Sequence, residues 1–74
     1  MKIAVIEYKT NRVTHLVGEK LDLRRAEQVD DGMQHNMNHD KFYTLIVPDS
    51  VKVWDERDSF QQEMTAMLTA AEEL

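Results

Sequence analysis

The sequence predicts an α+β domain: a small antiparallel sheet of three strands, with room for a short fourth, and two helices in the order β-β-α-β-α. Three observations carry that expectation. Three runs alternate in the two-residue period of a strand and are apolar on both faces. Two other runs carry apolar residues at helical spacing. Turn and cap residues fall between them, and Gly and Pro are otherwise scarce.

"MKIAVIEYKT" opens the chain as a strand, with Ile3 and Val5 on one face and Ala4, Ile6 and Tyr8 on the other. Thr10-Asn11 is a turn signal, because Asn tolerates the left-handed conformation. "RVTHLVG" reads as the second strand of a hairpin, Val13, His15 and Val17 alternating with Thr14 and Leu16, and Gly18 ends it. Asp22 is placed to cap a helix whose stripe is Leu23, Ala26, Val29, Met33 and Met37. Gly32 costs that helix about 1 kcal/mol relative to Ala, unless it marks a close contact. The helix is expected to stop near Asn36 or Asn38, since Asn is second to Gly as a left-handed cap.

"KFYTLIVP" is the third strand, with Phe42, Thr44 and Ile46 opposite Tyr43, Leu45 and Val47. "DSVKVWDE" is expected to extend it. The last helix begins at Asp58, or at a Ser59–Gln62 box, and its stripe is Phe60, Met64, Met67, Leu68, Ala71 and Leu74. A sheet that is apolar on both faces needs cover on both. Either the two helices take opposite faces, or one face meets another protein or a second copy of the chain.

The 74 residues make a single domain, 1–74, whose core is marginal at this length. With no Cys there is neither a disulfide nor a Cys-based zinc site, and a reducing cytoplasm fits. No run approaches the length of a membrane span, and the uncharged run before Glu7 is too short to be expected as a secretory leader. Residues 1–25 carry a charge of +3 and residues 26–74 carry −8, giving −5 in all. An acidic surface disfavours nucleic acid and favours basic protein surfaces.

"HNMNHDK" holds His35 and His39, four apart, a spacing that suits a metal on one helix face. The expected helix end falls between them and no H-E-x-x-H glutamate is present. The plainer reading is a helix end and a turn, so no metal and no cofactor are expected. His15 reads as a cross-strand residue, and Ser50 and Ser59 as turn or cap residues. No Gly-rich phosphate loop and no nucleophile motif occur, so an enzyme is not expected.

The densest acidic cluster is Asp55, Glu56 and Asp58, with Asp49 upstream; it suits a helix N-terminus or a basic partner. Trp54, between charges, packs at the edge of the core or stands out as an anchor, and Tyr43 is a second candidate anchor. Small size, acidity, lack of Cys and the α+β pattern together resemble the short acidic inhibitor proteins that bacteriophages encode, anti-CRISPR proteins among them. The likeness carries no functional residue over. It implies a steric inhibitor in the host cytoplasm, docking an acidic face on a basic groove of a host protein, one that binds nucleic acid for example. The alternatives are a homodimeric structural or regulatory module and, below that, a metal-binding protein.

Overall fold

A computed structural model describes residues 1–72, and in it the β-β-α-β-α order holds. Strands β1 (Lys2–Glu7), β2 (Arg12–Val17) and β3 (Phe42–Val47) form an antiparallel sheet in the order β2-β1-β3. Helix α1 (Leu23–Gln34) lies between β2 and β3 in the chain, and α2 (Gln61–Glu72) follows a single 3-10 turn, Arg57–Phe60. Among the described residues no helix is long and apolar enough to cross a membrane.

The central strand explains why two helices are needed. Ile3, Ala4 and Ile6 are fully buried, and neighbours along a strand face opposite ways. Ala4 and Ile6 join Val13, Val47, Val51, Phe60 and Met64 in one cluster, with Leu16, Tyr43, Leu45 and Leu68 packed on it. That is the α2 side. On the other side Ile3 and the buried Ala26 of α1 face each other's layer, and α1 reaches β3 through hydrogen bonds among Asp30, Gln34 and Thr44. The chain therefore covers both sheet faces with its own helices.

Local chemistry sets the element ends. Asn11 takes a left-handed φ of 55° and its N–H closes the hairpin loop on the Glu7 carbonyl at 2.8 Å. The Asp22 carboxylate accepts the Arg25 N–H at 2.8 Å, as an N-cap should. Gly18 sits at φ +81°, a conformation that selects glycine, and an added Cβ there would also push aside the tip of the Leu21 side chain, 2.5 Å away.

Four expectations are corrected. β2 does not alternate evenly: Ile6 pairs with Val13 but Val5 with His15, so Thr14 is an extra, bulged residue. Val13 and Leu16 consequently share the α2 face, and the Thr14 hydroxyl donates to the Val5 carbonyl at 3.2 Å. α1 ends near Asn36, as expected, but its cap is His35 in right-handed backbone, and neither Asn36 nor Asn38 takes the left-handed conformation expected of a cap; the His39 ring meets the Gln34 carbonyl at 2.8 Å. Gly32 marks no close contact, since nothing lies within 4 Å of where its Cβ would be. Finally, Asp58 and Ser59 do not cap α2: Ser59 lies inside the 3-10 turn and its hydroxyl donates to the Glu56 carbonyl at 2.6 Å. Leu74 lies outside the described residues.

The segment expected to prolong β3 does something else. Pro48 turns the chain, Val51 enters the core, and residues 54–57 cross to the far side of the sheet and pair with the start of β2. The Trp54 N–H donates to the Val13 carbonyl at 2.7 Å, the Val13 N–H to the Asp55 carbonyl at 3.0 Å, and the Arg57 N–H to the Asn11 carbonyl at 2.9 Å. The short fourth extended piece exists, but on β2.

Candidate functional site

The β1–β2 hairpin loop, the start of β3 and the 54–57 strip meet at one end of the sheet. Asn11 joins them: its carbonyl takes the Arg57 N–H, and its side-chain oxygen takes the Tyr43 hydroxyl at 3.4 Å. Tyr43 stacks on Tyr8 with ring centroids 4.7 Å apart and planes tilted by 38°, a favourable offset pair. The Arg57 guanidinium lies 5.5 Å from the Phe60 ring centroid, within cation–π range, and its Nη1 is buried without a hydrogen-bond partner.

Trp54 is the most exposed large apolar residue here, at 65%, and its neighbour Val53 is 42% exposed. Its backbone φ is 76°, a conformation that bulky L-residues rarely take. Both its backbone polar groups are held, the N–H by Val13 and the carbonyl by the Arg12 guanidinium at 2.9 Å. Two long-range hydrogen bonds thus hold a strained residue on the surface, where its indole buries little.

The acidic residues separate into two roles. The Asp49 carboxylate accepts the Lys20 N–H at 3.0 Å and the amino group of Met1 at 3.2 Å. It ties the loop after β3 to the loop after β2 and to the chain start, and the Lys20 hydrogen bond above all holds its pKa below the ordinary carboxylate value. Asp55 accepts the Lys52 N–H at 2.9 Å and so shapes the turn that presents Trp54. Glu56 and Asp58 are exposed, and their carboxylates make no hydrogen bond among the described residues. They are the free charges of the cluster.

Tyr43 is half-buried, and burial first of all raises its pKa, with the nearby Arg57 opposing. Tyr8 carries the exposed ring of that pair, at 58%. An open cleft of about 500 Å³ lies beside it, lined by Glu7, Tyr8, Lys9, Asp40 and Lys41. The His39 ring is engaged on the Gln34 carbonyl, His35 caps α1 through its backbone N–H with its ring exposed, and the described residues contain no group of three His, Cys, Asp or Glu side chains placed to hold a metal.

Tyr8, Arg12 and Arg57 were not singled out by the sequence. Tyr8 read as one more strand residue, and only the loop's length reveals that it stands at the hairpin tip. Arg12 and Arg57 have roles that depend on pairing between residues 11–13 and 54–57, which no local pattern encodes. Comparison of the chain with protein-family models, with curated proteins and with solved structures found no match.

Proposed function

We propose that this chain is a non-enzymatic interaction module that docks Trp54 and its flanking carboxylates on a basic surface of another protein. One observation carries the reading: a tryptophan is held in a strained backbone conformation, exposed, by two long-range hydrogen bonds. Exposing an indole forgoes about 1.5–3 kcal/mol of burial, and a left-handed bulky residue costs about 1–2 kcal/mol more. A buried or glycine-substituted turn would be more stable, so the exposed ring is best explained by an outside partner. Trp is also the residue type most enriched among interface anchors.

Glu56 and Asp58 supply the charge. Both stand close in sequence to Trp54, exposed and unbonded, and attract a basic surface without the desolvation that a buried ion pair suffers. With a chain charge of −5, the face suits a groove that otherwise holds nucleic acid or another acidic partner. A cytoplasmic inhibitor of the phage-encoded kind, one that sterically covers such a groove in a host protein, is the form this function takes.

The test is capture of a partner by the wild-type chain, followed by measurement of its affinity for Trp54→Ala and for Glu56→Lys with Asp58→Lys. Asp49 and Asp55 are left alone, because their carboxylates hold turns. The expected outcome is at least a tenfold loss for each variant, about 1.4 kcal/mol, and a steeper salt dependence for the wild type. Equal binding by the charge-reversed chain would remove the acidic-docking reading.

A further inference from the structure

We infer that the free outer edge of β2, Thr14–Val17, receives an added β-strand from the partner protein, in line with the 54–57 strip and beside Trp54. The inference rests on the docking reading above and gives the partner a conformation.

β2 is a margin of the sheet, and the strip uses only its first part, Asn11 to Val13. Among the described residues no backbone hydrogen bond reaches Thr14–Val17 from outside the sheet. In an antiparallel strand the backbone groups point alternately to either side, so this stretch presents unused donors and acceptors. Natural edges are usually guarded by Lys, Pro or inward charges. Thr14, His15, Leu16 and Val17 include none of these, and the bulge at Thr14 is the only guard. Val17 is 38% exposed and His15 is exposed as well.

The other margin, β3, is equally uncharged but flanked. α1 bonds to it through Asp30 and Gln34, α2 packs over its Leu45 side, and none of its six residues is fully exposed. A helix on each face narrows the approach to that edge. β2 has exposed residues instead, and its near end is where the strip leaves the sheet at Trp54.

The occupant is an extended segment of a different protein. A second copy fits poorly: each chain carries −5, and two-fold antiparallel pairing brings Glu19, just beyond one β2, toward Asp55 and Glu56 beside the other. Glu19 at one end and Asp55 and Glu56 at the other outnumber Lys20 and Arg12 beside them, and Arg12 is already engaged on the Trp54 carbonyl, so the stretch favours a strand with Lys or Arg at its ends and apolar side chains next to Trp54 and Val17. Main-chain pairing supplies affinity and those side chains supply selectivity, the physics of strand addition.

The experiment pans a random-peptide display library on the intact chain and synthesises the strongest binders. Amide NMR and hydrogen exchange then map each on the chain, and backbone N-methylated versions test main-chain pairing. The expected result is slowed exchange at amides within Thr14–Val17, a shifted Trp54 indole signal, and about tenfold weaker binding after N-methylation or Trp54→Ala. Binders that need Trp54 but leave Thr14–Val17 unprotected and tolerate N-methylation overturn strand addition while keeping Trp54 docking. Binders indifferent to both, or a library that yields none, overturn the two together. A concentration-dependent dimer that protects Thr14–Val17 without peptide overturns the choice of occupant.

Discussion

The Arg12 guanidinium donates to the Trp54 carbonyl at 2.9 Å, joining residues 42 apart in sequence. The neighbouring Trp54 N–H bonds to Val13, so the loop tip is held to β2 at both of its backbone groups. The tip's fixed shape therefore depends on an exposed arginine, whose hydrogen bond contributes about 0.5–1.5 kcal/mol at most. Arg12→Ala is expected to speed hydrogen exchange at the Trp54 amide while lowering global stability by less than about 1 kcal/mol. Unchanged exchange at Trp54 would show that the Val13 bond suffices alone.

Trp54 itself gives a second outcome. With the indole mostly in water and the backbone at φ 76°, Trp54→Gly removes strain and little packing. Chemical denaturation is expected to show a stability that is unchanged or raised by up to about 1 kcal/mol. A loss above about 2 kcal/mol, approaching the roughly 3–5 kcal/mol lost with a buried aromatic, would mean that the ring packs on the protein and is no free anchor.

Two-residue alternation and helical stripes made most of the fold legible, because each element's apolar pattern is local. β1 and β3 follow it, as do Leu23, Ala26, Val29 and Met33 on α1 and Met64, Met67, Leu68 and Ala71 on α2, while Met37 falls past the end of α1 and Phe60 in the 3-10 turn before α2. The hairpin and Asp22 cap were legible for the same reason, as their chemistry acts over a few residues. The bulge at Thr14 was not, since one inserted residue leaves the composition of a strand unchanged and shows only in its partner's register. The 54–57 strip was missed because "VKVWDE" has strand character but nothing local says which edge it joins. Of the candidate site, Trp54 and the acids were visible as residue types; their division into turn-holding Asp49 and Asp55 and free Glu56 and Asp58 required the hydrogen bonds.

The two glycines should respond oppositely to the same change. Gly32 lies in helical backbone with open space around its Cβ direction, so Gly32→Ala is expected to stabilise by about 0.5–1 kcal/mol. Gly18 is left-handed and faces Leu21, so Gly18→Ala is expected to destabilise by about 1 kcal/mol or more. Thermal melts of the two variants read both signs, and a destabilised Gly32→Ala would reveal a partner surface or a constraint on α1 that the fold does not contain.

Cover on both sheet faces makes each helix essential. Met64→Ala on the α2 side opens a cavity worth about 2–5 kcal/mol, a large part of the stability of so small a domain. Ala26→Asp buries an unpaired carboxylate on the α1 side and should be at least as damaging. Circular dichroism on each variant checks this. A well-folded Ala26→Asp would place α1 off the sheet.

Acid and alkali probe opposite ends of the molecule. Asp49 has a folded pKa below its ordinary 3.8, chiefly through the Lys20 N–H, so its contribution is present above that value and is lost as pH falls through the lower folded one. Asp49→Asn should therefore flatten the acid limb of stability against pH. Tyr43 has a folded pKa above its ordinary 10.0, mainly because burial disfavours the phenolate. Its contribution is full below 10.0 and is lost as pH rises through the folded value. Tyr8→Phe leaves Tyr43 as the chain's single tyrosine, and its phenolate absorbance should then appear with a midpoint above 10.0. That variant also removes the ring partner's hydroxyl, one of the groups raising the value, so a midpoint still above 10.0 leaves burial, with the smaller push of the Asp58 charge, as the cause. A midpoint at or below 10.0 would mean that the Arg57 cation outweighs burial at the Tyr43 hydroxyl, which also donates to Asn11.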